Sequence, residues 1–144
     1  MNKEFAPYEP SLALKELGFD EPCFGYYGEN QKLIWKSGYE PWINSERNLV
    51  DNHFAAGPTY SQAFRFFREK YNISYSIDWM SRSLEFYNGY YVHFRGINGN
   101  KINQENFIVL NDELPPKGYG VYKTYEEAEL ACLNKLIEIV KNEQ

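Results

Sequence analysis

The near-neutral acid–base groups of this chain are two histidines, and neither stands in a recognisable catalytic or metal-binding pattern. His53 lies in the irregular segment 51–54, with no second His or Cys at metal-ligand spacing. His93 alternates with Tyr91 and Arg95, as in a β-strand, where a lone histidine is more often a hydrogen-bonding group than a base. A hydrolase would need one of the two histidines beside a carboxylate in a cleft, and we keep this as a third hypothesis.

The two cysteines, Cys23 and Cys132, are too few and too far apart for a disulfide framework or a Cys-only zinc site. Cys132 falls on the apolar side of a predicted helix, which favours a buried, inert thiol. Cys23 could pair with a distant histidine as a nucleophile, but no local pattern supports this. The sequence also lacks the phosphate-binding loop, the nucleophile elbow and the zinc-protease motif. We therefore predict a non-enzymatic protein without a cofactor or metal, in a reducing cytoplasm.

Charge is distributed along the chain in three blocks, of which the middle one is basic. The formal net charge of -5 divides into -4 for residues 1–58, +3 for residues 59–101 and -4 for residues 102–144. Arginines beside exposed aromatic rings can bind a phosphate and stack on a base. The same pattern arises when arginines only balance the acids of flanking segments, so both interpretations stay open. The candidate ligand- or partner-binding residues all lie in the middle block: Arg65, Phe66, Arg68, Arg82, Tyr91, His93 and Arg95.

Composition excludes several classes of protein. The 144 residues are 43% apolar and 18% aromatic, which argues against global disorder. The acidic balance disfavours a general binder of duplex nucleic acid, because such binding depends on neutralising phosphates. The longest apolar run, 107–110, is too short to span a membrane, and no signal-type segment opens the chain. We expect a single cytoplasmic domain over 1–144 that does not enter a membrane.

Two capping boxes predict the main helices. Thr59 with Gln62 predicts a helix over 59–71, and Thr124 with Glu127 predicts one over 124–141. Phe66 departs from the apolar stripe of the first helix, so it must cover another element or lie exposed. The stripe residues of the first helix are Tyr60, Ala63, Phe64, Phe67 and Tyr71, and those of the second are Ala128, Cys132, Leu133, Leu136, Ile137 and Val140.

A shorter helix and an aromatic hairpin are expected near the start of the chain. Ser11 is placed to cap the helix and Gly18 to end it. Residues 22–28 are typical of a strand that returns over 32–36 through a turn at 28–30. Residues 37–58 show no sustained period, which predicts a long loop or two short irregular pieces. The aromatic residues of 35–60, together with Phe66 and Tyr91, form a binding surface if they are exposed together.

Alternation predicts further strands in the second half. Residues 73–79 carry one apolar face, and Asn88-Gly89 is typical of a type I′ hairpin turn in which Tyr87 opposes Tyr90. A slipped register, or a sheet covered on both faces, is an alternative. The residues Tyr90, Val92 and Phe94 share the face that we expect to be buried, and Tyr91, His93 and Arg95 share the other. Short strands are also expected at 107–110 and 119–122.

These elements predict an α+β fold in which antiparallel hairpins pack against the two main helices. Because both capping boxes open on similar residues, a duplicated ββα unit is an alternative to chance recurrence of the motif. From residue 59 the element order is that of the double-stranded RNA-binding domain, which holds phosphates with basic groups at the start of its last helix. Here that helix starts with Glu126, Glu127 and Glu129, so this binding mode is disfavoured.

Three stretches together resemble a known family. They read KELGFDEPCFGYY at 15–27, PTYSQAFR at 58–65 continuing through REKY at 68–71, and KTYEEAELA at 123–131 continuing to Val140. The set resembles a family of small uncharacterised proteins carried by phages and prophages of gut bacteria. The resemblance covers both ends and the middle helix and implies no activity. It implies a small cytoplasmic accessory protein that binds or inhibits a host factor.

The sequence supports two main hypotheses about function. The first is a non-enzymatic, phage-encoded accessory protein that binds a host or phage protein, favoured by the acidic balance, the aromatic surplus and the missing catalytic pattern. The second is a small-molecule, nucleotide-like ligand-binding protein that uses the arginine-rich middle segment with Tyr91 and His93. A concave pocket lined by those arginines would favour the ligand, and a large exposed apolar patch would favour the protein partner.

Overall fold

The computed structural model describes residues 2–35, 40–46, 54–80, 89–96 and 122–143. Their contacts form two compact units, Met1–Phe66 and Phe67–Gln144, with the boundary inside a helix. Helices and antiparallel strands together confirm the α+β class. The elements are a 3₁₀ turn (Asn2–Glu4), α1 (Tyr8–Glu16), β1 (Gly25–Tyr27), β2 (Leu33–Trp35), β3 (Ala55–Gly57), α2 (Tyr60–Tyr71), β4 (Ile73–Met80), β5 (Gly89–Gly96) and α3 (Tyr125–Glu143).

The first unit contains a three-stranded antiparallel sheet with the order β2-β1-β3. The predicted hairpin of β1 and β2 is confirmed, with Tyr27 opposite Leu33. Within 37–58 we predicted a long loop or two short irregular pieces without a strand; this is wrong at Ala55–Gly57, where β3 pairs with β1. The strand β3 could not be predicted from the sequence, because Ala-Ala-Gly lacks the β-branched and aromatic residues that are typical of strands. The sheet is tightly packed here: a Cβ on Gly57 would lie 2.7 Å from Leu33 Cδ1, and one on Gly25 would lie 2.9 Å from the Ile34 carbonyl oxygen.

Helix α1 begins at Tyr8, so the prediction that Ser11 caps it is wrong. Ser11 lies inside the helix, where its buried hydroxyl donates to the carbonyl of Ala6 at 3.1 Å. The predicted end is confirmed: Gly18 adopts a left-handed φ of 88°. Its N–H bonds the Lys15 carbonyl and the N–H of Phe19 bonds the Leu14 carbonyl, which together make a Schellman motif.

A buried asparagine fixes the segment that approaches β3. The Asn44 side chain is 7% exposed and both ends of its amide are used. Its Nδ2 donates to the Phe19 carbonyl at 2.8 Å, and its Oδ1 accepts from the Ala56 N–H at 2.9 Å. One side chain therefore ties the end of α1 to β3 and satisfies two backbone groups that would otherwise be buried without a partner.

Helix α2 confirms its predicted start and its apolar stripe. The Thr59 N–H bonds Gln62 Oε1 at 3.0 Å, and the Gln62 N–H bonds Thr59 Oγ1 at 3.3 Å, a closed capping box. The stripe residues Tyr60, Ala63, Phe64 and Phe67 are buried, and Tyr71 is half-buried. The helix stops at Tyr71 because Asn72 takes a left-handed φ of 54°, a conformation that asparagine adopts more readily than most residues.

In the second unit, β4 and β5 form an antiparallel pair. Ile77 lies opposite Val92. On the face of β5 that we predicted to be buried, Val92 and Phe94 are fully buried and Tyr90 is half-buried. The predicted pairing of Tyr90 with Tyr87 is wrong. Tyr90 pairs with Trp79 on one side and exchanges backbone hydrogen bonds with Tyr122 on the other. Residues 81–88, including Tyr87, and the expected strand at 107–110 lie outside the described part of the chain.

Helix α3 packs against β4 and β5 and carries the core of the second unit. Its predicted capping box is confirmed, because the Glu127 N–H bonds Thr124 Oγ1 at 3.1 Å and Glu127 Oε2 accepts from the Thr124 N–H at 3.4 Å. All six predicted stripe residues are buried. Among the described helices, none is long and apolar enough to cross a membrane.

Candidate functional site

Aromatic and aliphatic side chains gather on the outer side of the β1–β3 sheet. In β1 the side chains alternate, so Gly25 and Tyr27 face the core while Tyr26 faces outward. Ile34 is the cross-strand partner of Tyr26 and shares its face. The Trp42 ring packs on the Tyr26 ring with centroids 4.0 Å apart.

Phe54 completes this cluster beside Gly28. A Cβ built on Gly28 would meet Ile34 Cδ1 at 3.5 Å, Phe54 Cε1 at 3.8 Å and Tyr26 Cε2 at 3.9 Å, so these three side chains converge above the glycine. We call Tyr26, Ile34, Trp42 and Phe54 the aromatic face. Trp42 and Phe54 come from the 35–60 segment, and each lies beside Tyr26 or the side chains next to it.

The aromatic face continues into exposed apolar side chains. Phe24 immediately precedes β1 and is 74% exposed, the largest exposed fraction among the large apolar residues that the structure describes. Ile34 is 36% exposed. Trp35, at the end of the edge strand β2, is 39% exposed, but it pairs with Gly25 and therefore lies on the opposite side of the sheet from Tyr26 and Ile34. These side chains remain exposed in the folded chain, although full burial of one large apolar side chain stabilises a fold by roughly 1.5–3 kcal/mol.

Two main-chain hydrogen bonds join Trp42 to Cys23, the residue before Phe24. The N–H of Cys23 bonds the Trp42 carbonyl and the N–H of Trp42 bonds the Cys23 carbonyl, each at 2.8 Å. This bridge brings together two chain segments that are about twenty residues apart, each carrying apolar side chains. Hydrogen bonds of the neighbouring residues hold the same region: the Ser45 N–H and hydroxyl both donate to the Asp20 carboxylate, at 2.7 and 2.6 Å.

The unit that carries the aromatic face has an excess of acidic residues. In the described part of the first unit, eight residues are acidic and four are basic. Exposed carboxylates flank the face along the chain at Glu29, Glu40 and Glu46. Of the four basic groups, Arg65 is ion-paired with Glu21 and the Lys15 ammonium donates to the Phe54 carbonyl at 2.6 Å.

The candidates predicted on α2 have different environments. Arg65 is exposed and bound to Glu21, as in the interpretation in which arginines balance neighbouring acids. Arg68 is exposed. Phe66 is 7% exposed and packs edge-to-face on Phe19 with ring centroids 5.5 Å apart, so it covers another element of the core.

The candidates predicted on β5 lie on the polar side of the second sheet. Tyr91 and His93 are half-buried, and their rings meet edge-to-face at 4.4 Å. Arg95 follows on the same strand, opposite Ser74, and its side chain lies outside the described part, as do Arg82 and His53. The hypothesis of a nucleotide-like ligand held by the four arginines therefore stays a prediction.

Polar side chains of β4 share this face with His93, which bears on the hydrolase hypothesis. Ser76 is the cross-strand partner of His93, and Asp78 is that of Tyr91. The Ser76 hydroxyl donates to Asp78 Oδ2 at 2.9 Å, so its one proton is directed at the carboxylate. A nucleophile activated by histidine needs that proton directed at the imidazole. This arrangement is a hydrogen bond between two exposed side chains of β4, and the hydrolase hypothesis stays a prediction.

The two cysteines have the character of buried thiols. Burial, and then the Glu21 carboxylate, raise the pKa of Cys23 from 9.0 to about 12, while its Sγ donates to the Glu21 carbonyl at 3.4 Å. Burial also raises the pKa of Cys132, which is fully buried in α3. Both remain protonated at neutral pH, so neither supplies a thiolate nucleophile. No group of three or more His, Cys, Asp or Glu within the described ranges could hold a metal ion.

Comparisons with known proteins give no family and no relative. No family model, no curated protein and no solved structure matches the chain. The function is therefore argued from the geometry of the chain itself.

Proposed function

We propose that this protein is a non-enzymatic binding protein that docks a basic protein partner on the aromatic face. The observation that carries the proposal is the half-buried aromatic face, of which Ile34 is exposed, together with the exposed Phe24 that immediately precedes β1. Exposed apolar surface of this kind, rimmed by polar groups, is typical of protein interaction sites. Aromatic side chains dominate the energetics of such sites because they bury a large area with few rotatable bonds.

Charge decides the kind of partner. The face lies in a unit with an excess of carboxylates, and the exposed ones at Glu29, Glu40 and Glu46 flank it along the chain. A partner that presents apolar groups among lysines and arginines would gain favourable long-range attraction, whereas an acidic partner would be repelled. The partner would be a host or phage protein if the chain is a phage accessory protein, an origin that rests on the resemblance of its three sequence stretches alone.

A capture experiment with matched variants tests the proposal. The chain is immobilised and exposed to a lysate of the bacterium that carries its gene, and captured proteins are identified by mass spectrometry. The test variant carries Ile34→Ser in the aromatic face and Phe24→Ser next to β1, the two exposed apolar residues of the proposed surface. The control variant carries Trp79→Ser and Tyr125→Ser, two side chains of the second unit that are 53% and 41% exposed. Circular dichroism establishes that both variants fold.

The expected result is a basic protein that binds the unaltered chain and the control variant, is lost from the test variant and elutes as salt rises. The elution follows from screening of attraction between exposed charges. A protein captured equally by all three chains would overturn the proposal, and so would an acidic protein lost only from the test variant. Failure to recover any partner of the unaltered chain would also count against it.

A further inference from the structure

An open groove lies on the other side of the β1–β2 hairpin from the aromatic face. Tyr27 and Leu33 are cross-strand partners and both line it, whereas their neighbours Tyr26 and Ile34 point to the opposite side. Its volume is about 540 Å³, within the range of small-molecule pockets. The groove belongs entirely to the first unit, and we name it the Tyr8 groove after the half-buried residue at the start of α1 that forms one wall.

The walls of the Tyr8 groove suit a flat aromatic ring. Tyr8 and Tyr27 meet edge-to-face with centroids 5.8 Å apart. The Tyr27 hydroxyl donates to the buried Ala6 carbonyl at 2.6 Å, which fixes this ring in place. Phe5 and Pro7 add further apolar surface. Aromatic rings held at such angles bind another ring by edge-to-face or offset contacts.

The rim of the groove supplies positive charge. Of its lining residues Lys32 is the one that carries a charge, and it is exposed. The turn before β2 sets its position: Gln31, with a left-handed φ of 57°, bonds the Gly28 carbonyl, and the Lys32 N–H bonds Asn30 Oδ1 at 3.1 Å. Gln31 also lines the groove and can donate from its amide.

The first turn of α1 adds to this positive potential. Pro7, the residue before the helix, lines the groove and makes no side-chain capping bond to the first turn. The positive end of a helix dipole favours an anion, although Glu9 in the same turn offsets part of this. The dipole of α1 adds to the positive potential of Lys32 in a groove whose walls are aromatic.

We propose that the Tyr8 groove binds an aromatic ring that carries a nearby carboxylate. The ring would lie against Tyr8 and Tyr27, and the carboxylate would reach Lys32 and the amide of Gln31. Two sources share this chemistry, a free aromatic acid and the C-terminal aromatic residue of a protein chain. The inference does not depend on the aromatic face, because the two surfaces lie on opposite sides of the hairpin.

Titration followed by NMR tests this site with two pairs of probes. Phenylacetate and its neutral amide represent the free acid, and the tripeptide Gly-Gly-Phe with a free or an amidated terminus represents the chain end. Lys32→Gln removes the rim charge, and Lys123→Gln makes the same change at an exposed lysine that does not line the groove. Both lysines are exposed, so neither substitution alters the core.

We expect at least one acid to bind saturably, with shifts of the Tyr8 and Tyr27 rings, and its amide to bind more weakly. Lys32→Gln is expected to weaken acid binding about fivefold, and Lys123→Gln to leave it unchanged. Tighter binding of phenylacetate than of the peptide assigns the site to free acids, and the reverse order assigns it to chain termini. Absence of saturable binding of both acids at millimolar concentration, or equal binding by Lys32→Gln, overturns the proposal.

Discussion

Single polar residues hold the irregular part of the first unit, and Asn44 is the main example. Asn44→Ala would leave the Phe19 carbonyl and the Ala56 N–H buried without their partners. Two such losses are expected to lower the free energy of unfolding by about 2–3 kcal/mol, as measured by urea denaturation. Asn30→Ala removes an exposed asparagine bond and is expected to cost less than about 1 kcal/mol. Equal effects of the two substitutions would refute the structural role of Asn44.

Buried titratable groups make a second prediction at the residue scale. The pKa of Cys23 rises from 9.0 to about 12 on folding, and that of Tyr75 rises from 10.0 to about 12, mainly through burial. Above pH 9 the unfolded chain loses the Cys23 proton while the folded chain keeps it, so the stability that this difference contributes is present below pH 9 and is lost as pH rises towards 12.

Urea denaturation across this alkaline range measures the loss. The slope contributed by Cys23 is expected to reach about 1.4 kcal/mol per pH unit at most. Cys23→Ala removes the ionisable group, and its stability should therefore fall less steeply above pH 9. Slopes are compared, because the substitution also changes packing at every pH. Identical slopes for the two chains would show that Cys23 does not keep its proton in the folded state.

Helix ends show how local sequence specifies an element. Gly18 ends α1 with a left-handed φ of 88°, which an alanine adopts at a cost of about 1 kcal/mol. Gly28 provides the matched control, since a Cβ there meets its nearest neighbours at ordinary contact distances of 3.5–3.9 Å. Gly18→Ala is expected to lower the unfolding free energy by about 1 kcal/mol, and Gly28→Ala to change it little. Equal losses would contradict the Schellman geometry.

The capping box of α3 makes a second prediction at the scale of the element. Thr124→Ala removes the acceptor for the Glu127 N–H and is expected to cost about 1 kcal/mol, whereas Thr124→Ser keeps a hydroxyl and most of the stability. Thermal denaturation of the three chains measures the difference. If serine were as destabilising as alanine, the hydroxyl would not be the stabilising group.

At the scale of the whole molecule, net charge opposes the exposed apolar surface. The chain carries -5 at pH 7, and its isoelectric point is near 5.1. As pH falls towards 5.1, carboxylates become protonated and repulsion between copies disappears, so self-association through the exposed apolar residues is expected to increase. Light scattering as a function of pH should rise near 5.1 for the unaltered chain and rise less for the Phe24→Ser, Ile34→Ser variant. Equal scattering would mean that these residues do not mediate association.

The candidate surface shows where prediction from sequence stopped. The aromatic residues of 35–60 were identifiable as residues without a core position, but the stacking of Trp42 on Tyr26 was not predicted. These residues are 16 positions apart and meet only because Cys23 pairs with Trp42. An isolated β-bridge such as that between Cys23 and Trp42 produces no periodic pattern in the sequence. For Phe66, the sequence showed that the residue lies off the apolar stripe of α2, but it did not show whether the side chain is exposed. Its contact with Phe19 in the folded chain buries it.

Local interactions explain what the sequence determined by itself. Both capping boxes, the apolar stripes of α2 and α3, the turn between β1 and β2 and the end of α1 depend on residues within a few positions of one another. Tertiary structure alone decided the pairing of β3 with β1, the pairing of Tyr90 with Trp79 and the exposure of Phe24. These features depend on contacts between distant segments and on the volume that small residues such as Gly57 leave open, and no spacing within a single element encodes them.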